Sequence, residues 1–270
     1  MSNPENSWGI HNHFYPQRII TAEILEHHFF HYKIISGEVA LRQAREMSNY
    51  GMGIIIVTNH FSEGDIVLAG LIACADPIMG KRKILAPIAH HQYHGKEGLK
   101  ARVLAAMVHG ELCPIITSDT LRYYRQEGKS FPFSKNQLRS EIEKRYADYI
   151  EKAQQVLADG GIVPMAPQAG RRERLIEPWP NDSVGSLLNF PQNHQVAVFP
   201  VGIGIVGAES YKLDQYGGLN RELVYTFNFG RPRPFWEIQE EAARNHFSTD
   251  EVVYQMLRRV VPKEYLATTT

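Results

Sequence analysis

The chain has 270 residues, 43% of them hydrophobic and 21% charged, which is enough apolar material for a sizeable core and excludes both a disordered chain and a disulfide-stapled miniature. Lysine plus arginine number 29 and aspartate plus glutamate number 29, so no global positive field exists to hold a polyanion and nucleic acid is not expected as a partner. Only Cys74 and Cys113 are present, a usage that fits a reducing compartment.

The first residues, MSNPENSWGIHNHF, lack the basic segment, apolar run and small-residue site of a secretory leader. Residues 21–50 carry apolar positions at broadly helical spacing, broken near Gly37, and predict two helices. Gly53 to Thr58, GIIIVT, reads as a buried strand, and Ile66 to Ala75 as an apolar helix. Further strands are expected at Ile84 to Ala89, Cys113 to Thr117, Ile162 to Ala166, Val196 to Ile205 and Leu223 to Phe229, with helices near Gly98 to Val108 and Lys135 to Asp159. Pro200 should mark the end of its strand or an edge position. A last helix is announced by Ser248-Thr249-Asp250-Glu251, in which serine can cap and glutamate reach back.

The resulting expectation is an α/β protein with a mixed, largely parallel sheet flanked by helices. It divides into a small N-terminal helical segment over 1–50 and an α/β domain over 51–270. The longest apolar run, Ile66 to Met79, is broken by Asp76 and Pro77 and is shorter than the roughly 20 residues that cross a bilayer. A cytoplasmic protein, or one peripheral to a membrane, is therefore expected.

The sharpest chemical feature is Thr58-Asn59-His60-Phe61-Ser62-Glu63-Gly64-Asp65, at the junction of a strand and a helix. Positions five apart on a continuous helix diverge by about 140°, so His60 and Asp65 can meet only if the backbone turns, which Gly64 permits. Asp65 would then hold one imidazole nitrogen and leave the other as a base toward a substrate hydroxyl. The competing reading is a helix cap, because Ser62 and Asp65 also fit the Ser-x-x-Asp pattern. About a hundred residues on, Ile162-Val163-Pro164-Met165-Ala166 leads into Pro167-Gln168-Ala169-Gly170-Arg171-Arg172-Glu173-Arg174. A strand end with small residues and clustered guanidinium groups suits capture of an anion, with a solvated basic loop as the alternative.

Two histidine clusters, His27-His28-x-x-His31 and His90-His91-x-x-His94, have spacings that could place imidazoles on one helix face for metal binding, the lesser alternative for this chain. No Glu-x-x-His accompanies them, and surface or packing histidines are the preferred reading; neither a metal nor a cofactor is expected. Gly202-x-Gly204-x-x-Gly207 matches the dinucleotide fingerprint, but the following AESYKLDQYGGLNRE is polar and glycine-broken where a helix is required. No Gly-x-Ser-x-Gly elbow occurs, and Cys113, inside an apolar run, reads as packed.

Taken in order, the Asn59-His60 segment, the arginine segment, the Val198-Phe199-Pro200-Val201 strand and Gly230-Arg231-Pro232 resemble the blocks of the glycerol-phosphate and lysophospholipid acyltransferases. Ala166-Pro167-Gln168-Ala169-Gly170-Arg171 is most similar to the soluble plastid-type glycerol-3-phosphate acyltransferases. The resemblance spans roughly Gly53 to Pro232. It implies that His60 and Asp65 are catalytic, His60 deprotonating the acceptor hydroxyl and Asp65 orienting and polarising it. It further implies that Arg171, with Arg172, Arg174 and Gly170, binds the acceptor phosphate. The second arginine of the family motif falls on Glu173, which leaves Arg172 or Arg174 to substitute, and the family's middle block has no assigned counterpart between His109 and Asp119. The implied partners are an acyl-CoA or acyl carrier protein donor and a phosphorylated glycerol acceptor, with peripheral membrane contact. Ile66, Leu68, Leu71 and the Pro200 strand are candidate walls for the acyl chain, with core packing the preferred reading for each. A lipid-binding protein with an acyltransferase-like fold is the alternative from a different class.

Overall fold

The computed structural model describes residues 31–60, 69–70, 73, 76, 78–95, 98–99, 102–103, 105, 110–126, 128, 133–167, 182–206 and 224–266. Within them the chain forms β1 (His31–Ser36), α1 (Glu38–Asn49), β2 (Gly53–Thr58), β3 (Ile84–Ala89), α2 (His90–His94), β4 (Gly110–Ile115) and α3 (Ser118–Gln126). Then follow α4 (Lys135–Ala158), β5 (Ile162–Met165), α5 (Ser183–Leu188), β6 (Val196–Ile205), β7 (Val224–Phe229), β8 (Arg233–Pro234), α6 (Phe235–Asn245) and α7 (Thr249–Arg258). The protein is an α/β structure whose single mixed sheet runs β1-β7-β6-β2-β5-β3-β4, with β8 on β6. Strands β6, β2, β5, β3 and β4 are mutually parallel. β7 is antiparallel to β6, and β1 runs parallel to β7.

Every residue of β2, β5 and β6 is buried, as interior parallel strands covered on both faces require. That explains why GIIIVT and VAVFPVGIGI are almost continuously apolar and show no alternation. Successive parallel strands are joined by right-handed crossovers. The chain passes from β2 to β3 to β4 in one direction across the sheet, then returns through β5 to β6 in the other, so the two sets of connections cover opposite faces. The packing agrees: α4 meets α5 and α5 meets α7 on one side, whereas α1 meets the 3-10 turn Met79–Lys81 on the other. Residues 69, 70 and 73 are helical, as expected for the apolar stretch after β2, and so are 98, 99, 102, 103 and 105.

Of the two helices expected over 21–50, the second is α1, but His31–Ser36 is a strand. Tyr32 and Ile34 find partners in Tyr225 and Phe227 of β7, and this pairing outweighs the local pattern. Gly37, at φ 92°, makes the turn into α1; a Cβ there would collide with the Phe229 carbonyl. The strand expected from Cys113 to Thr117 lies instead at Gly110–Ile115, and Thr117 begins the turn into α3, where no helix is expected from the sequence.

Pro200 does not end its strand, which continues to Ile205. Its carbonyl accepts from the Gly230 amide at 2.9 Å, so its own missing N–H lies on that same edge. There the partner changes from β8, paired at Ala197 and Val198, to β7, paired from Val201 onward. The proline occupies the gap between two partners and costs no ladder bond. Gly202 and Gly204 lie inside β6, not after it, and Cβ atoms on them would strike the Val260 backbone and the Pro262 and Tyr265 side chains. Those glycines make room for the C-terminal chain, so the match to a dinucleotide fingerprint is a packing feature here; Gly207 lies outside the described residues.

The C-terminal helices fasten the α4 face. Ser248 and Glu251 form the expected capping box of α7. Asp250, in the first turn of α7, also caps another helix: its buried carboxylate accepts from the backbone amides of Ser183 (2.6 Å), Val184 (3.0 Å) and Gly185 (3.0 Å). The residue at the N-cap position of α5, Asp182, makes no capping bond of its own. Asp250→Ala removes the acceptor for three amides at a positive helix terminus and is expected to destabilise the fold by about 2–4 kcal/mol, read from urea denaturation. A change below about 0.5 kcal/mol would show the cap to be dispensable.

Candidate active site

In open α/β sheets, the crevice for a ligand opens beyond the carboxyl ends of parallel strands where neighbouring connections depart in opposite directions. Here that point lies between β2 and β5: the chain leaving β2 goes on toward β3, and the chain leaving β5 goes on toward β6. His60 follows β2 by two residues and is half-buried. Ala166 and Pro167 leave β5 beside it, since Val57 pairs with Met165 and the Thr58 hydroxyl approaches the Met165 carbonyl at 3.5 Å. The sequence thus brings His60 and the start of the arginine segment to adjacent strand ends. Asp65, Gly170, Arg171, Arg172 and Arg174 lie outside the described residues, as do Ser62 of the alternative cap and the groove candidates Ile66, Leu68 and Leu71.

Asn59 fixes where His60 stands. Its side-chain Nδ2 donates to the Ile203 carbonyl at 2.9 Å, and its Oδ1 accepts from the Ile203 amide at 2.8 Å. Thr58 is paired with Val201, so the Asn59 amide supplies the next rung of the β2–β6 ladder with a side chain in place of backbone. The main chain thereby leaves the β2–β6 ladder after Thr58 while both polar groups of the buried Asn59 side chain stay satisfied. Sequence reasoning quoted Asn59 only as part of a motif. The available clue was an amide side chain directly after a fully apolar strand, where an unsatisfied polar group would be costly.

β3 and β5 stop pairing after one rung for a covalent reason. The Ile162 amide donates to the Lys83 carbonyl at 2.8 Å, which places β5's donors at alternate residues on the β3 edge. The next donor on that edge would be residue 164, which is proline, and the next donor on the facing edge of β3 would be residue 87, also proline. β3 and β5 accordingly pair only at Ile84 and Ile162, and Ala86–Ala89 of β3 are half-buried where Ile84 and Leu85 are buried.

β3 ends in a second histidine group. Ile54 and Ile84 both face Ile162, and His60 and His90 each lie six residues further along their chains. Two strand spacings, about 10 Å, separate the lines of β2 and β3. His90 is buried, 5% exposed, with its ring 4.4 Å from that of His94. Burial, followed by the charges of His94, Arg145 and His91, pushes the His90 imidazole down to about 4. His94 is also lowered, by burial and by Arg145 and Arg102. His91 has a packing role: its Nδ1 lies 3.2 Å from the Thr120 hydroxyl and its ring stacks on Tyr123 at 4.7 Å, docking α2 on α3. Among the described residues no group of three or more His, Cys, Asp or Glu side chains is arranged to hold a metal.

The folded His90 resists protonation whereas an unfolded histidine protonates near 6.5. The unfolded chain therefore binds the extra proton, so this contribution is intact above about pH 6.5 and is lost as pH falls toward about 4. His90→Gln should flatten the acid side of the stability profile by about 2 kcal/mol, measured as urea midpoints between those limits. An unchanged acid slope would remove His90 as its source.

Cys113 is buried, and burial pushes its thiol up, away from the reactive thiolate. The β6 strand containing Pro200 is buried along its whole length. No helix among the described residues is long and apolar enough to cross a membrane. No protein-family model matches this chain, and no curated protein matches it significantly.

Proposed function

We propose that this protein is an acyltransferase that moves a fatty acyl group from an acyl thioester, carried by coenzyme A or acyl carrier protein, to a hydroxyl of glycerol 3-phosphate or a lysophospholipid. The observation that carries the reading is the position of His60 at the carboxyl end of the central strand, at the switch point between β2 and β5, held there by the two Asn59–Ile203 hydrogen bonds. The order of the blocks along the chain supports the same chemistry.

In this mechanism His60 accepts the proton of the acceptor hydroxyl as its oxygen attacks the thioester carbonyl. The tetrahedral intermediate collapses by breaking the carbon–sulfur bond, and the thiolate leaves with the proton that His60 returns. Asp65 orients the imidazole, and Arg171, Arg172 and Arg174 hold the acceptor phosphate. An imidazole suits the task because neither protonation state is prohibitive near neutral pH. No protein nucleophile is required, since fixing the hydroxyl against the carbonyl itself removes much of the barrier.

The test is acyl transfer from palmitoyl-CoA and palmitoyl-acyl carrier protein to glycerol 3-phosphate and lysophosphatidate, followed by thiol release and lipid product. Product with either acceptor supports the proposal. Binding of the lipid without thiol release under any pairing would make the protein a lipid-binding module and sink the enzymatic reading.

A further inference from the structure

A second basic group stands at the same end of the sheet, at the carboxyl end of β3. Two aromatic rings link its members. The Phe133 ring lies 5.7 Å from the Arg145 guanidinium carbon and 6.3 Å from the His90 ring. The Tyr93 ring lies 5.2 Å from the Arg102 guanidinium carbon and 5.0 Å from the His94 ring. With the 4.4 Å contact between His90 and His94, the arrangement runs continuously from Arg145 through both imidazoles to Arg102. Depth varies along it: His90 is buried and Arg145 half-buried, while His94 and Arg102 reach solvent.

Among the described residues the charges do not balance. Facing the imidazoles are Arg145 and Glu141 from α4, Arg102 from the helical residues after α2, and His91 from α2 itself. Glu141 meets Arg145 at Nε, the inner guanidinium nitrogen, at 3.3 Å. Arg102 uses its own Nε on the Gly98 carbonyl at 3.2 Å, and among the described residues no carboxylate forms an ion pair with it. Among the described residues two guanidinium groups thus stand near one carboxylate, and burial, then their field, holds both adjacent imidazoles below the ordinary range. An oxyanion reverses that balance: it gives guanidinium forks an acceptor and makes each imidazole easier to protonate.

We infer that His90, His94, Arg102 and Arg145 form an oxyanion site at the carboxyl end of β3 that takes the phosphate group of a ligand. The site goes beyond the acyl-transfer reading and stands without it; only the choice of ligand, the acceptor's phosphate or the phosphopantetheine of the donor, rests on that reading. Proton uptake accompanies binding, so a doubly charged oxyanion binds more tightly as pH falls.

The intact protein, with histidine rings labelled by nitrogen-15, is titrated with sulfate at constant ionic strength, because sulfate keeps its charge across the range. His90 and His94 resonances, assigned through His90→Gln and His94→Gln, should shift together. The affinity should rise at least about tenfold from pH 7 to pH 5. Arg102→Ala, at an exposed position, should weaken binding by about tenfold with the fold unchanged. No shift up to about 20 mM sulfate, an affinity indifferent to pH, or an affinity unaltered by Arg102→Ala would each overturn the site. Glycerol 3-phosphate binding more tightly than sulfate assigns the acceptor, and pantetheine 4′-phosphate doing so assigns the donor; neither exceeding sulfate overturns the ligand assignment. His60→Ala should leave these titrations unchanged, which separates failure of this site from failure of the acyl-transfer mechanism.

Discussion

His60→Ala should lower acyl transfer by about a thousandfold or more while leaving the melting temperature within a degree or two of wild type. The size follows from what the imidazole contributes. A positioned general base is worth roughly 10²–10⁴ in rate, and without it a hydroxyl of high pKa must lose its proton to water during attack. Stability should hold because His60 is half-buried beyond the end of β2 and adds nothing to the β2 ladder itself. Turnover and binding should also separate. The donor and acceptor contacts remain, so the loss should fall on kcat, with the acceptor Michaelis constant changing little. The purified variant is compared with wild type by thiol release under saturating donor and by thermal denaturation. Activity within a few-fold of wild type would assign His60 a merely structural place at the start of the following segment and would end the mechanism proposed for it.

Asn59→Ala is the change expected to damage both fold and activity. It deletes the donor to the Ile203 carbonyl and the acceptor for the Ile203 amide in one step, inside a region where Asn59 is 3% exposed. Each buried group left without a partner costs about 1–3 kcal/mol, giving a total of about 2–4 kcal/mol and a fall in melting temperature of roughly 5–10 °C. Activity measured well below the new melting point should also fall by at least tenfold, because the rung that anchors the chain directly before His60 has gone. Asn59→Asp separates the two effects: it keeps the acceptor for the Ile203 amide, but sets a second oxygen against the Ile203 carbonyl. It should be no better folded than Asn59→Ala, with its defect relieved at low pH, where the carboxylic acid can donate. If Asn59→Ala kept full stability and full activity, the Asn59 bonds would be incidental to the position of His60.

How far the sequence reveals this architecture depends on the kind of order involved. Interior strands were plain: GIIIVT and VAVFPVGIGI have too much β-branched and aromatic character to be loops, and their observed bounds match the expectation. The capping box at Ser248 and Glu251 was equally legible, because its bonds are local. The strand His31–Ser36 was not, since only its pairing with β7, almost two hundred residues away, distinguishes it from a helix. Pro200 misled for a related reason: whether a proline breaks a strand depends on which edge its missing donor occupies, and that is decided by partners far along the chain. At the candidate site, the motif pointed to His60 but not to the anchor beside it. The second histidine group was visible as a spacing, yet its electrostatic character needed Arg145 from α4 and Arg102 from the residues after α2. Spacing offered metal chemistry only as the lesser reading, and it could not show the arginines that stand around the imidazoles.

Pro164 of β5 and Pro87 of β3, which face each other's strand across the same edge, illustrate how little covalent change separates a sealed sheet from an unsealed one. Ordinary amino acids at both positions would present the two missing hydrogens, and the ladder could zip together up to the strand tips. Closed in that way, the layer would keep its helices and its oily interior yet hold its two histidine-bearing tips at the fixed spacing of a regular ladder. Two five-membered rings thus act as a doorstop, and the gap between these tips rests on two bonds the chain is unable to make.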